Sequence, residues 1–350
     1  MDVMTQHAEQ TLIYLDHNAT TPILPEVVDA MLPYLREHFG NPSSGHALGL
    51  RTRQAVQHAR EQVAGLIGCE PDEVLFTSGG TEANNLAIHG VTEASARRGI
   101  VTSVIEHPAT ALPCDWLERN GWQVSRIPVD VDGRARVDEA VIDARTALVT
   151  VMHSNNETGV LQPISELAVR ARSVGALVHT DAAQSIGKVP VNVGALGVDL
   201  LSIAGHKLYA PKGVGALFVK RGTPIVPFAL GAGHERGMRP GTENVASIVG
   251  LGAACEAMGR DLAEASQRMC LLRDLLWTRL ADLSIGKLRA MQVVKREPLP
   301  RLLHEASEAR GFAGEASLKR ATAHPALCSD AIDRRLSAWH ALKERRTDAV

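Results

Sequence analysis

Short apolar runs alternate with amphipathic stretches over most of the first 260 residues. Ile13 to Asp16 reads as a short strand running into a cluster of turn-formers that ends at Pro22. From Pro25 to His38, Val27, Val28, Met31 and Leu35 recur at helical spacing, and Pro33 predicts a kink or break. Helical period returns at Val56, Ala59, Val63, Leu66 and Ile67, with Gly68 as the stop. Val74 to Thr77 reads as a strand, and Ser78-Gly-Gly-Thr-Glu-Ala-Asn-Asn85 opens a helix behind it. Further strands are expected over 100–105, 123–129, 148–152, 177–180, 200–203 and 213–219, with helices over 109–120 and 165–174. Glycine turns punctuate the alternation, which predicts an α/β fold: a mostly parallel central sheet flanked by helices. After Gly215 the pattern changes. Residues 231–244 form a polar, glycine-rich loop with Arg236 and Arg239, a length at which loops are often functional. Helices follow over 245–258 and 262–283. The second carries Leu262, Met269, Leu272, Leu276, Leu280 and Leu283 as a core-facing stripe.

Polar residues cluster where these strands end: Thr81, His107, Asn156, Asp181, Gln184, His206 and Lys207. Open α/β sheets bind ligands outside the carboxyl ends of their strands, so a site is expected there. The Gly79-Gly80-Thr81 turn opens a helix whose free N–H groups suit an anion, although an ordinary capped helix has the same spacing. It is not a Walker loop, because the Gly-x-x-x-x-Gly-Lys pattern is missing. Lys207 falls between two apolar strands. Desolvation there would lower its pKa and suit an amine nucleophile that forms Schiff bases. Taken alone, it reads equally as a surface lysine on a loop. With Asp181 and the anion-ready turn, one cofactor fits. Pyridoxal phosphate needs a lysine for its aldehyde, an anion site for its phosphate and a carboxylate for its ring nitrogen. His107 could then stack on the ring, and Asn156 and Gln184 could bond its hydroxyl.

Charge and composition exclude other classes. Across 350 residues, 37 basic and 39 acidic side chains nearly cancel, and no basic stripe argues for nucleic acid. No apolar run approaches the ~20 residues of a membrane span, and the polar N-terminus lacks a signal-peptide pattern. Five cysteines, at 69, 114, 255, 270 and 328, include no Cys-x-x-Cys pair. That suits a reducing, cytoplasmic setting and shows no metal-site spacing.

The chain resembles the class-V aminotransferase family, and within it the cysteine desulfurases of the iron–sulphur-cluster or nitrogen-fixation type. The motifs that carry the resemblance begin with Tyr14-Leu-Asp-His-Asn-Ala-Thr-Thr21, Gly40-Asn-Pro-Ser-Ser44, Thr77-Ser-Gly-Gly-Thr-Glu-Ala-Asn-Asn85 and Glu106-His107. They continue with Asn155-Asn-Glu-Thr-Gly159, Asp181-Ala-Ala-Gln184, Gly205-His-Lys207, Ala210-Pro-Lys-Gly-Val-Gly215 and Arg236-Gly-Met-Arg-Pro-Gly-Thr-Glu-Asn244. The resemblance implies a fold-type-I homodimer with a large cofactor-binding domain over 15–258 and a small domain from 1–14 and 259–350. It implies that Lys207 carries pyridoxal 5'-phosphate and Asp181 pairs with the ring nitrogen. Gly80, Thr81 and His206 serve the phosphate, Asn156 and Gln184 sit by the ring, and His107 stacks over it. Thr242 reaches the phosphate of the partner subunit. The implied reaction takes L-cysteine to L-alanine through a persulfide on a mobile cysteine, then to a sulphur-acceptor or cluster-scaffold protein.

Three departures are visible. Ala204 stands where the family has serine, which removes a phosphate hydroxyl, and Pro240 replaces a serine in the long loop. Beyond about Met291 the family pattern dissolves: the Ser-Gly-Ser-Ala-Cys loop and the Arg-x-Ser-Leu-Gly-Arg strand are absent. The chain also ends early for this family, as expected of a frameshifted or decayed C-terminus. Cys328 falls about where the sulphur-accepting cysteine belongs; the plain alternative is a free cysteine in a scrambled tail. The missing loop keeps two other functions open, a selenocysteine lyase or aminotransferase and a non-catalytic cofactor-binding scaffold.

Overall fold

The computed structural model describes residue 14 and residues 16–282. Seven strands form one sheet: β1 (Val74–Thr77), β2 (Gly99–Ser103), β3 (Gln123–Ile127), β4 (Thr146–Thr150), β5 (Leu177–Asp181), β6 (Leu200–Ala204) and β7 (Gly215–Val219). Their order is β1-β7-β6-β5-β4-β2-β3. The β2–β3, β2–β4, β4–β5 and β5–β6 pairs are parallel, whereas β7 is antiparallel to both β6 and β1. Only β7 therefore runs against the rest, so the sheet is mostly parallel as expected. Its reversal follows from the short return over residues 205–214, which folds β7 back along β6.

The helices are α1 (Pro25–Arg36), α2 (Ala47–Ile67), α3 (Gly80–Ala94), α4 (Pro108–Arg119), α5 (Ile164–Ser173), the single turn α6 (Val193–Leu196), α7 (Val245–Arg260) and α8 (Leu262–Asp282). Alternate strand residues feed two cores. Leu75, Ile100, Leu148, Leu200 and Leu217 cluster with α3 and α4. Val101, Val149, Val178, Leu201 and Phe218 cluster with residues of α2, α5 and α7. Helices on both faces explain why the inner strands are apolar almost throughout. Burying Leu200, Leu201 and Ile203 of β6 completely is worth about 1.5–3 kcal/mol each. Gly68 ends α2 in the left-handed conformation, at φ 73°, as its sequence position suggests.

Two local expectations change. Pro33 lies inside an unbroken α1, close enough to its end that Glu37 N–H can cap onto the Pro33 carbonyl. Residues 14 and 16 carry no regular structure where a short strand was expected, while 17–19 form a turn as their turn-formers suggest. That segment is held by a loop contact: Thr21 N–H and its hydroxyl both donate to His206 O, at 2.8 and 3.0 Å. On α8, Leu276 is buried while Leu262, Met269 and Leu272 are partly buried, in keeping with a core-facing stripe. Residues 1–13, 15 and 283–350, including Leu283 and Cys328, lie outside the described part.

β1 is an edge strand, and its open side is closed by a buried ion pair. Arg60 of α2 and Glu235 are 8% and 1% exposed, with two N–H···O contacts of 2.8 Å. Arg60 also donates to Val74 O at 2.6 Å, and Phe76 N–H donates to Glu235 at 3.0 Å. The pair thus takes the hydrogen-bonding groups that another strand would take. It also anchors the 231–244 loop, where Glu235 and Arg236 hold φ of 46° and 58°. Side chains with a Cβ disfavour that conformation, so an anchor is needed. Glu235→Ala would leave Arg60 buried without its partner. We expect it to cost about 3–5 kcal/mol in urea unfolding.

Candidate active site

Six elements deliver side chains to one cleft at the carboxyl edge of the sheet. It spans about 470 Å³ including its open mouth and is lined by Gly80, Thr81, His107, Asn156, Asp181, Gln184, His206 and Lys207, with Asn84, Met152, Ser154 and Ala204 among their neighbours. Eight of the residues expected from sequence therefore meet. Thr242 does not: it is exposed in the 231–244 loop, away from the cleft of its own chain.

The anion-ready end is built by close approach. Gly79 adopts φ 152° before α3. The first amide of this turn to enter the helical ladder is Ala83 N–H, bonded to Gly79 O at 3.1 Å, so the N–H groups of Gly80 and Thr81 precede it. A side chain at Gly215 would come within 2.7 Å of Gly79 Cα and 2.5 Å of Ile203 O, so only glycine lets β7 lie against this turn. Glu82, in the same turn, faces away and pairs with Arg239 at 2.8 Å. Burial would raise its pKa, but hydrogen bonds from Arg239 and Ser78 outweigh that and hold the carboxyl below its usual range. The helix end keeps its positive character toward the cleft.

Asp181 ends β5 and is 8% exposed. Its carboxylate accepts from Asn84 Nδ2 at 2.7 Å and from Ala183 N–H at 2.9 Å. Both donors are neutral, and among the described residues no cation forms an ion pair with it. Asn84 is itself fully buried, and its Oδ1 has no partner there. A second acid, Glu106, is half-buried beside the cleft. Desolvation pushes it up to about 8, against hydrogen bonds from Ser103 and Met152 N–H and aided by the charge of Asp181. Its surroundings therefore favour the neutral form.

His107 caps α4, with Nδ1 accepting from Ala109 N–H at 3.1 Å. An accepting Nδ1 carries no proton, so the neutral ring has its proton on Nε2. Burial and then the charge of Lys207 depress its pKa, which keeps this form at neutral pH. Lys207 follows β6 in a turn closed by Leu208 N–H to Gly205 O at 2.9 Å. Beside it, burial and the charges of Lys207, Lys212 and Lys188 depress the pKa of His206. Asn156 is set by its neighbour: Asn155 Oδ1 accepts the N–H groups of Glu157 and Thr158, each at 2.9 Å, and closes the turn.

Sequence reading missed Asn84, Glu106 and Lys188 as site residues. Asn84 lies one helical turn after Gly80, and Lys188 lies four residues after Gln184, so spacing carried a signal for both. Nothing local signalled the burial of Glu106. Ala204 does line the cleft, and a Cβ at Gly80 would sit 3.2 Å from its methyl.

This arrangement of a strand-end lysine, a buried carboxylate and an open helix end accompanies a match to the class-V aminotransferase pattern over residues 13–300. The chain belongs to the class-V aminotransferase family. Cysteine desulfurase IscS of Dictyoglomus turgidum is 48% identical over 266 residues, covering 75% of this chain and 68% of that protein. A solved NifS-like protein superposes with a TM-score of 0.84 at 31% identity, covering 95% of this chain and 99% of its own. A solved SspA in complex with cysteine is 38% identical, with a TM-score of 0.68 over 70% of this chain and 72% of that one.

Two histidines near the cleft set an acid limit. His179 bonds Thr150 Oγ1 at 2.8 Å and Ser202 Oγ at 2.9 Å, and His153 Nδ1 bonds Ser185 Oγ at 2.6 Å. Burial pushes each down to about 4, with Asp181 opposing the effect at His179. In the unfolded chain they protonate near ~6.5. Between these values the unfolded chain binds more protons, so stability is full above about 6.5 and falls as pH drops toward 4. Each histidine contributes a slope of about 1.4 kcal/mol per pH unit. Urea unfolding at pH 7 and pH 5 should show the loss, and His153→Gln should remove its share.

Proposed function

We propose that this chain is a pyridoxal-phosphate-dependent cysteine desulfurase. It converts L-cysteine to L-alanine and passes the sulphur, as a protein persulfide, to an acceptor for iron–sulphur cluster or thio-cofactor assembly. The observation that carries the cofactor is Asp181, a buried carboxylate held only by neutral donors in the cleft of Lys207. A burial of this kind calls for a cation, and a protonated pyridine nitrogen supplies one. The cysteine bound to SspA supports the choice of substrate.

The donor set fits the cofactor. Gly80 and Thr81 would hold the phosphate through the start of α3, with His206 beside it. Asp181 would keep the ring nitrogen protonated, His107 would lie over the ring, and Asn156 and Gln184 would meet its hydroxyl. When bound, pyridoxal phosphate supplies an electron sink for the carbanion left as the substrate loses its α-proton. The Nζ amine of Lys207 would take that proton. The neutral His107, with its proton on Nε2, is suited to moving a proton to or from substrate.

A thiolate must then attack the substrate sulphur. Among the described cysteines, burial pushes Cys69 and Cys114 up to about 12 and raises Cys255 as well, so these three are poor nucleophiles. None of the described cysteines lines the cleft. This supports a cysteine from elsewhere in the chain, and Cys328 is the one proposed. Thr242, exposed and outside its own cleft, would serve the phosphate of the partner subunit in a homodimer. The proposed division puts 15–258 in the large domain and 1–14 with 259–350 in the small one. Among the described residues no helix is long and apolar enough to cross a membrane. A cytoplasmic location is part of the proposal.

The test is to add pyridoxal phosphate, record the visible band, then supply L-cysteine with a reductant and measure sulphide and alanine. Lys207→Ala should abolish the band and both products. Cys328→Ala should keep the band and lose sulphide release; undiminished release would exclude Cys328. Ala204→Ser should restore a phosphate contact and tighten cofactor binding roughly tenfold.

A further inference from the structure

Gln184 lines the cleft, and both ends of its amide are engaged outside it. Lys188 Nζ donates to Gln184 Oε1 at 2.8 Å. Gln184 Nε2 donates to the Asn18 carbonyl at 3.0 Å. Asn18 in turn donates through Nδ2 to the main-chain carbonyl of Asn156 at 3.5 Å, so the same chain of bonds reaches the backbone of the other cleft segment. A carbonyl can only accept, so Nε2 has to face Asn18. A lysine amine always has N–H to give, so Oε1 has to face Lys188. A flipped amide would set oxygen against oxygen at Asn18 and lose both bonds.

The local fold holds this orientation. Gln184 and Lys188 are four residues apart in a helical turn closed by Lys188 N–H to Ser185 O at 3.0 Å and Ile186 N–H to Ala182 O at 3.1 Å. Between them Gly187 takes φ 73°, where a side chain would come within 2.3 Å of Leu208. Among the described residues no carboxylate pairs with Lys188.

We propose that Lys188 is a positioning residue. Its bond to Oε1 fixes the amide of Gln184 so that the unspent N–H of Nε2, not the carbonyl, is the group offered to an acceptor oxygen in the cleft. The proposal rests on the reading of the cleft as a pyridoxal-phosphate site, where that acceptor is the ring oxygen.

The test uses the full chain loaded with pyridoxal phosphate, as wild type, Lys188→Met, Lys188→Ser, Lys188→Arg, Gln184→Leu and the Lys188→Met/Gln184→Leu double variant. Three quantities are read: the visible band, cofactor affinity by titration, and thermal unfolding of the unloaded protein. Met and Ser both remove the donor, one keeping an apolar stem, so one folded variant suffices. Lys188→Met should move the visible band and weaken cofactor binding up to about tenfold, and Gln184→Leu should do the same. Arg, which also only donates, should restore both to within about twofold. In the Gln184→Leu background, Lys188→Met should add nothing. A loaded wild type whose band and affinity are unmoved by Lys188→Met overturns the positioning role alone. So does a Lys188→Met effect that persists without Gln184, since it would come directly from the lost charge. A wild type that forms no visible band overturns the cofactor reading, and the positioning role falls with it.

Discussion

The Asp181 carboxylate sits at the end of a central strand, 8% exposed and bonded to two neutral N–H donors. Burying such a charge without a cation costs several kcal/mol unless its surroundings compensate. Compensation comes from three directions. Asn84 on α3 gives its amide, the backbone of Ala183 gives an N–H, and the cleft gathers Lys207 and His206 with Lys188 close by. Burial, reinforced by the charge of Lys207, pushes Lys188 down to about 7. The nearby acid Glu106 is pushed the other way, which keeps a second negative charge out. Burial thus shifts Glu106 well above an ordinary carboxylate, a pattern common where chemistry is done.

Holding that arrangement requires the whole sheet. β1, β2, β4, β5 and β6 all present their carboxyl ends on one edge, and each adds a piece of the cleft. The reversed β7 adds none of the listed chemistry but lies against the Gly79 turn through Gly215, and so seats the start of α3. At the far side of β7, β1 would be an open edge. The Arg60–Glu235 pair closes it and fixes the backbone strain of the loop that carries Thr242. Edge protection and loop placement are one device here, since the same carboxylate bonds Phe76 N–H and Arg60.

Much of this was legible in the residues. Apolar runs marked the inner strands to within a few residues, because burial on both faces leaves a continuous apolar signature, whereas the edge strand β3, Gln-Val-Ser-Arg-Ile, carries no such run. The site residues at 80, 81, 107, 156, 181, 184, 206 and 207 were legible because polar and small residues directly after such runs fall at strand ends. Pro33 misled: a proline forfeits a bond to the turn before it, yet α1 runs unbroken through it to Arg36. The turn at 17–19 was legible in its turn-formers, but the short strand expected before it was not found, and the contact that holds the segment, Thr21 to His206, joins residues far apart in the chain.

The sequence by itself determined the succession of strands and helices, the lysine, the anion-ready turn and the family, since periodicity and turn chemistry act between near neighbours. Only the tertiary structure decided the strand order, the reversal of β7, the raised pKa of Glu106 and the bond from Asn84 to Asp181, 97 residues away. The physical reason is that burial and hydrogen-bond partners belong to the packed whole. A carboxylate's neighbours, and therefore its charge, exist only after segments distant in sequence have met.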